Sequence, residues 1–127
     1  MSEQSETPAT DSVQDRLTVS VRRHGGAGVV ALAGELDHDT APTFADAALA
    51  LADEGVAHLV IDCSALRFCD STGLNVLLKA RLRTVDDGGR FVLAGVGPQL
   101  RRLLELTGAD GVFETRADVA AALSEDA

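Results

Sequence analysis

The stretch V-A-H-L-V-I-D, Val56 to Asp62, constrains this chain more than any other. It is a near-continuous apolar run of strand length, the pattern of a central strand covered on both faces, as strands of a parallel sheet are. Helical spacing lies on either side of it. Phe44, Ala47, Ala48 and Leu51 fall on one face before it, ending at Gly55. Leu74, Leu77, Leu78, Leu82 and Val85 recur at three- to four-residue spacing after it, predicting a second helix from Ser71 to about Asp86, stopped by Gly88-Gly89. A buried strand between two amphipathic helices is the repeating unit of an α/β sheet.

The rest of the chain extends that pattern. L-T-V-S-V-R alternates from Leu17 to Arg22 and puts Leu17, Val19 and Val21 on one face of a half-buried strand. Three glycines among Gly25 to Gly28 suit a hairpin turn, and V-V-A-L-A-G-E returns from Val29 as a more buried strand, antiparallel to the first. Thr40 or Ala41 caps the first helix, with Pro42 in its first turn. R-F-V-L-A-G, Arg90 to Gly95, is another buried strand. Pro98, Leu100, Leu103, Leu104 and Thr107 mark a third helix stopped by Gly108; Val112 and Phe113 form a short strand; Ala117 to Leu123 form a last helix. The expected fold is a single α/β domain over residues 15–123: a four- to five-stranded mixed sheet, hairpin first and then mostly parallel, packed with about four helices through right-handed crossovers. Residues 1–14 are too polar to offset the entropy of ordering them and are expected to be a disordered tail, with a short second tail at 124–127.

A chain of 127 residues buries about two thirds of its unfolded surface, so a core forms without disulfide or metal. Cys63 and Cys69, with no second pair and no histidine at ligand spacing, read as buried thiols rather than a zinc or redox site. A net charge of −9 disfavours nucleic acid and anionic membranes as partners, and a chain without Trp or Tyr offers little to stack bases on. No apolar stretch is long enough to span a membrane, and the acidic start of the chain is unlike a signal peptide, so the cytoplasm is the default compartment.

Two stretches could carry chemistry. In D-S-T-G-L, Asp70, Ser71 and Thr72 stand at the start of the second helix, whose unpaired N–H groups and positive dipole end welcome an acceptor or an anion. Asp70 or Ser71 as N-cap, worth about 1 kcal/mol, accounts for both residues. The competing reading makes Ser71 or Thr72 a modified residue or a nucleophile, exposed on a loop after a buried strand. A nucleophile needs a base, the chain offers only His24, His38 and His58, and G-x-S-x-G is absent. In G-E-L-D-H-D-T, the adjacent Asp37, His38 and Asp39 imitate a metal site, but neighbours on one short loop rarely converge on one ion; a solvated loop with an aspartate cap weighs more. That loop also leaves a strand at its carboxyl end and is expected beside Ser71. The Gly25–Gly28 glycines lack the lysine and helix of a phosphate loop, Arg101-Arg102 read as a solvent face, and His58 as a packed or edge histidine.

Taken together, L-A-G-E-L-D-H-D-T-A (Leu32 to Ala41), H-L-V-I-D-C-S-A-L-R-F-C-D-S-T-G-L (His58 to Leu74) and the later G-V-G-P-Q-L-R-R-L-L-E-L-T-G resemble the STAS-domain anti-sigma factor antagonists, over essentially the whole domain. The resemblance implies a cytoplasmic bacterial regulator with no catalysis and no cofactor of its own. Its partners would be an anti-sigma factor that is also a serine/threonine kinase, and a PP2C-type phosphatase. The serine directly after the aspartate is the phosphorylated one in that family, which is Ser71 here, with Thr72 the secondary candidate. Asp70 would orient the turn and the Ser71 hydroxyl. Asp37, His38, Asp39, Asp70, Ser71, Thr72, Gly73 and Asn75 would face the partner; at Asn75 the chain departs from relatives that commonly carry another glycine. The alternative within the same fold is a scaffold subunit of a larger phospho-regulated sensory complex.

Overall fold

The computed structural model describes residues 16–124, so the expected tail at 1–14 and all but Ser124 of the second tail lie outside the described residues. Strands β1 (Leu17–His24) and β2 (Ala27–Leu36) pair antiparallel across a Gly25–Gly26 turn. Gly28 belongs to β2 instead of the turn: a Cβ there would meet the Leu51 side chain at 2.9 Å, so its role is close packing. The chain continues through α1 (Ala41–Asp53), β3 (His58–Cys69), α2 (Ser71–Asp86), β4 (Arg90–Ala94), α3 (Pro98–Thr107), a 3₁₀ turn (Ala109–Gly111), β5 (Glu114–Arg116) and α4 (Val119–Ser124). The five strands lie in the order β1-β2-β3-β4-β5, parallel from β2 onward. Among the described residues this is the expected mixed sheet with four helices.

Strand alternation divides the core between the two faces. Val30, Ile61 and Leu93 join Phe44 and Leu51 of α1, Leu77 of α2 and Leu100 and Leu104 of α3 in the main cluster. Val29, Val60 and Val92 meet Ala122 of α4 in a smaller one. Both faces of β3 are therefore covered in its first half, which is why its sequence is unbroken apolar from Leu59 to Ile61. His58 is buried in this central strand, so it is a packed and not an edge histidine.

Four expectations need correction. β3 does not end at Asp62 but runs to Cys69 through two register shifts against β2, so Asp70 alone separates Ser71 from a strand, in place of a longer loop. α2 buries Gly73, Leu74, Leu77 and Thr84, leaving Leu82 and Val85 57% and 43% exposed; the small Gly73 and Thr84 let the helix approach closely, turning the outer apolar residues away. Val112 and Phe113 are not a strand. Phe113 is buried beside Phe91, ring centroids 6.0 Å apart, and the polar Glu114–Arg116 forms the edge strand, with Glu114 ion-paired to Arg90 and Arg116. Finally, Val21 is exposed, because β1 is an edge strand covered only near Leu17 and Val19.

Candidate functional site

The site forms where β2 and β3 end together. Leu36 and Cys69 are register partners, and the Asp70 N–H donates to the Leu36 carbonyl at 3.2 Å. The Asp37–Asp39 loop and the Asp70–Gly73 turn therefore leave from neighbouring strands at the carboxyl edge of the sheet, the edge where open α/β sheets place functional loops.

Asp70 is the N-cap of α2. Its backbone is extended and its Oδ1 accepts from the Gly73 N–H at 2.9 Å, which decides the cap in favour of Asp70 over Ser71. The carboxylate thus orients the turn through Gly73. Ser71 opens the helix, its side chain exposed and its hydroxyl without a hydrogen bond among the described residues. Thr72 is half-buried, and Asn75 is exposed one turn further along the helix. Gly73 is buried against the end of β2: a Cβ would stand 2.4 Å from the Leu36 carbonyl oxygen and 2.9 Å from Cys69 Sγ. Only a residue with no side chain lets the start of α2 dock here.

The neighbouring loop is closed by its own side chains. Asp37 Oδ1 accepts from the N–H groups of Asp39 (3.0 Å) and Thr40 (3.1 Å), while the Thr40 hydroxyl accepts from the Asp37 N–H (2.9 Å) and donates to the Glu35 carbonyl (2.8 Å). Thr40 is the N-cap by position but makes no side-chain cap bond; Asp37 takes the Thr40 N–H on Oδ1 and the Ala41 N–H on its carbonyl. Arg16 then grips the loop from outside, pairing with Asp37 Oδ2, with Asp39 Oδ2 at 3.0 Å and with Glu35 at 3.5 Å. Burial acts to raise the Asp37 carboxyl, whose side chain is 17% exposed, but the Arg16 and backbone hydrogen bonds outweigh it and hold the group below the usual carboxylate range. These two carboxylates ligate an arginine and the backbone, which accounts for them without a metal. His38 and Asp39 remain open to solvent.

Sequence reasoning missed three residues of this edge. Arg16 lies at the boundary of the polar tail and carries no pattern of its own. Phe68 is the one phenylalanine of four that is exposed, at 41%, three residues before Ser71. Gln99, at the second position of α3, accepts from the Cys69 N–H at 2.8 Å and donates to the Cys69 carbonyl at 2.9 Å. A glutamine following Gly97-Pro98 at a helix start is the only local signal. The Cys69 thiol is fully buried; burial first, and the charge of Asp70 second, push it up to about 12. Burial likewise raises Cys63. His24 and His58 lie at the other end of the strands, beside the amino-terminal start of β2 and β3, so neither supplies Ser71 with a base. A cavity of about 200 Å³ between α1 and α2, walled by Ala45, Leu49, Val76 and Ala80, has Lys79, Arg83 and Thr84 as its polar lining and no carboxylate, histidine or thiol. What the edge offers is an exposed hydroxyl on a rigid, helix-capped turn, flanked by acidic and apolar surface.

Residues 18–122 match the STAS domain family. The chain is 33% identical over 102 residues to the anti-sigma-F factor antagonist RsfB of Mycobacterium tuberculosis, covering 80% of this chain and 83% of the relative. Among solved structures it superposes on an anti-sigma factor antagonist from Mycobacterium paratuberculosis with a TM-score of 0.79 and 35% identity, covering 87% and 94% of the two chains. The phosphorylated form of the Bacillus cell fate determinant SpoIIAA shares the fold, with a TM-score of 0.71 at 20% identity, over 87% of this chain and all of the other.

Proposed function

The chain belongs to the STAS-domain anti-sigma factor antagonist family, and from that premise we propose that its unphosphorylated form binds an anti-sigma factor that is also a serine/threonine kinase, releasing the sigma factor, while phosphate on Ser71 switches binding off. The observation that carries this reading is the state of Ser71: exposed, first in α2, its hydroxyl unengaged among the described residues, beside a cap already satisfied by Asp70. Phosphorylation adds about −1.5 to −2 charges at pH 7. The free N–H groups and dipole of the first turn accommodate that charge, so the fold survives. The penalty falls on the complex, where a dianion beside Asp70 and the Asp37–Asp39 loop must be desolvated or meet like charge. Fold retained with binding lost makes a reversible switch, and a PP2C-type phosphatase resets it. The chain is a substrate of other enzymes in this scheme, acting in the bacterial cytoplasm with no cofactor, and Asp37, His38, Asp39, Asp70, Thr72, Gly73 and Asn75 surround Ser71 in the partner's footprint.

Affinity capture from the host with the full chain tests the reading. The unmodified protein and Ser71→Ala should retain an anti-sigma factor with a kinase fold; Ser71→Asp should lose it while melting within a few degrees of the parent. Equal capture by Ser71→Asp contradicts the switch, and recovery in a megadalton particle points instead to a scaffold.

A further inference from the structure

β3 parts from β4 at Asp62, whose partner Ala94 is the last residue of β4. From there to Cys69 its ladder partner is β2 alone. The N–H and C=O of Cys69 that point away from β2 would end the strand unpaired, immediately before the Asp70 cap. Gln99 supplies both missing bonds, accepting from the N–H and donating to the carbonyl. One planar amide thereby does what a residue of a neighbouring strand does, presenting one acceptor and one donor side by side. Its own position is set by the start of α3, with Gly97 at the N-cap and Pro98 in the first turn, and by Leu100 and Leu104 seated in the core.

We propose that Gln99 is a positioning residue for the Ser71 switch: by holding both backbone groups of Cys69 it fixes where α2 begins and how the Ser71 hydroxyl is presented to an incoming phosphoryl donor. The inference rests on reading Ser71 as the phosphorylated residue. On the β2 side, the Asp70 N–H and Gly73 already lock the turn; on the β4 side, the clamp is the tie that replaces a strand. Small displacements of a reacting group cost up to about 100-fold in rate, so losing the tie should slow transfer without touching what the partner binds.

Two measurements on the full chain decide it. In the first, partner-free, amide NMR spectra of the parent and Gln99→Glu are compared across pH. Ionised, the introduced carboxylate still accepts from the Cys69 N–H but cannot donate to the carbonyl; protonated, it can, and free carboxyls titrate near about 4.3. The Asp70, Ser71 and Gly73 amide shifts should differ from the parent at neutral pH and return towards it as the pH falls. Shifts equal to the parent at neutral pH would overturn the proposal. In the second, the captured kinase phosphorylates the parent and Gln99→Met at a temperature where circular dichroism finds both folded. A merely structural role lowers the melting temperature alone, whereas positioning lowers kcat about 10- to 100-fold with KM unchanged. Equal kcat overturns the proposal; if Gln99→Met does not fold, the Gln99→Glu series carries the test. Failure of the parent itself to take phosphate on Ser71 refutes the underlying reading, and the NMR comparison then judges the geometry of the clamp separately.

Discussion

Gly73→Ala sets two effects against each other, and the structure decides which wins. Gly73 has no positive φ and lies inside α2, so helix propensity alone favours alanine by up to about 1 kcal/mol. Against this, the new methyl would stand 2.4 Å from the Leu36 carbonyl oxygen, about 1 Å short of ordinary contact, and 2.9 Å from Cys69 Sγ. Neither neighbour can give easily. The carbonyl accepts from the Asp70 N–H and Cys69 is clamped by Gln99, so the first turn of α2 must lift from the sheet. A clash this close to backbone belongs at the upper end of overpacking costs, about 2–3 kcal/mol, which leaves a net loss of roughly 1–2 kcal/mol and a fall in Tm of roughly 4–8 °C. Thermal melts of the two proteins by far-UV circular dichroism measure it. A variant melting at or above the parent would mean that propensity wins and that the close approach of α2 to β2 is not what locates Ser71.

Asp70→Ala removes the cap and should lower stability by about 1 kcal/mol, read as a fall in Tm of about 4 °C. Asp37 titrates below its unfolded value, so its contribution is complete above about pH 3.9 and is lost as the pH falls through the folded value; the stability advantage of the parent over Asp37→Asn should shrink in acid, as urea melts at pH 7 and pH 3 would report. Arg16→Gln should leave the melt nearly unchanged yet speed hydrogen exchange at the Asp39 and Thr40 N–H groups, since the guanidinium holds the Asp37 carboxylate that receives both. Cys63 and Cys69 should resist alkylation in the folded protein and react only in denaturant, because both thiols are buried and neither ionises near neutral pH.

The alternation of helix and strand was legible because it rests on apolar periodicity, which burial enforces residue by residue. What escaped is governed by tertiary pairing. The second half of β3 reads Ser64, Ala65, Leu66, Arg67, Phe68, with no period that marks a strand, since it pairs with β2 through register shifts and has a side chain, Gln99, where another strand would lie. Val112 and Phe113 look like a strand from their side chains alone, but Phe113 anchors a turn against Phe91 and the edge strand is made of ion-paired polar residues. The D-S-T-G-L turn and the Asp37–Asp39 loop were legible as neighbours because both leave parallel strands at one edge. Arg16 and Gln99 were not, because each acts across 19 or more positions through two or three contacts that leave no local pattern.

The central claim is that Ser71 is the switch, and site-localised mass spectrometry tests it most directly. The full chain, incubated with its captured anti-sigma factor and ATP, should carry phosphate on Ser71, with none on Ser71→Ala and the parent's phosphorylated fraction no longer binding the partner. Phosphate appearing undiminished on Thr72 in Ser71→Ala, or a Ser71-phosphorylated chain that still binds, would contradict the account.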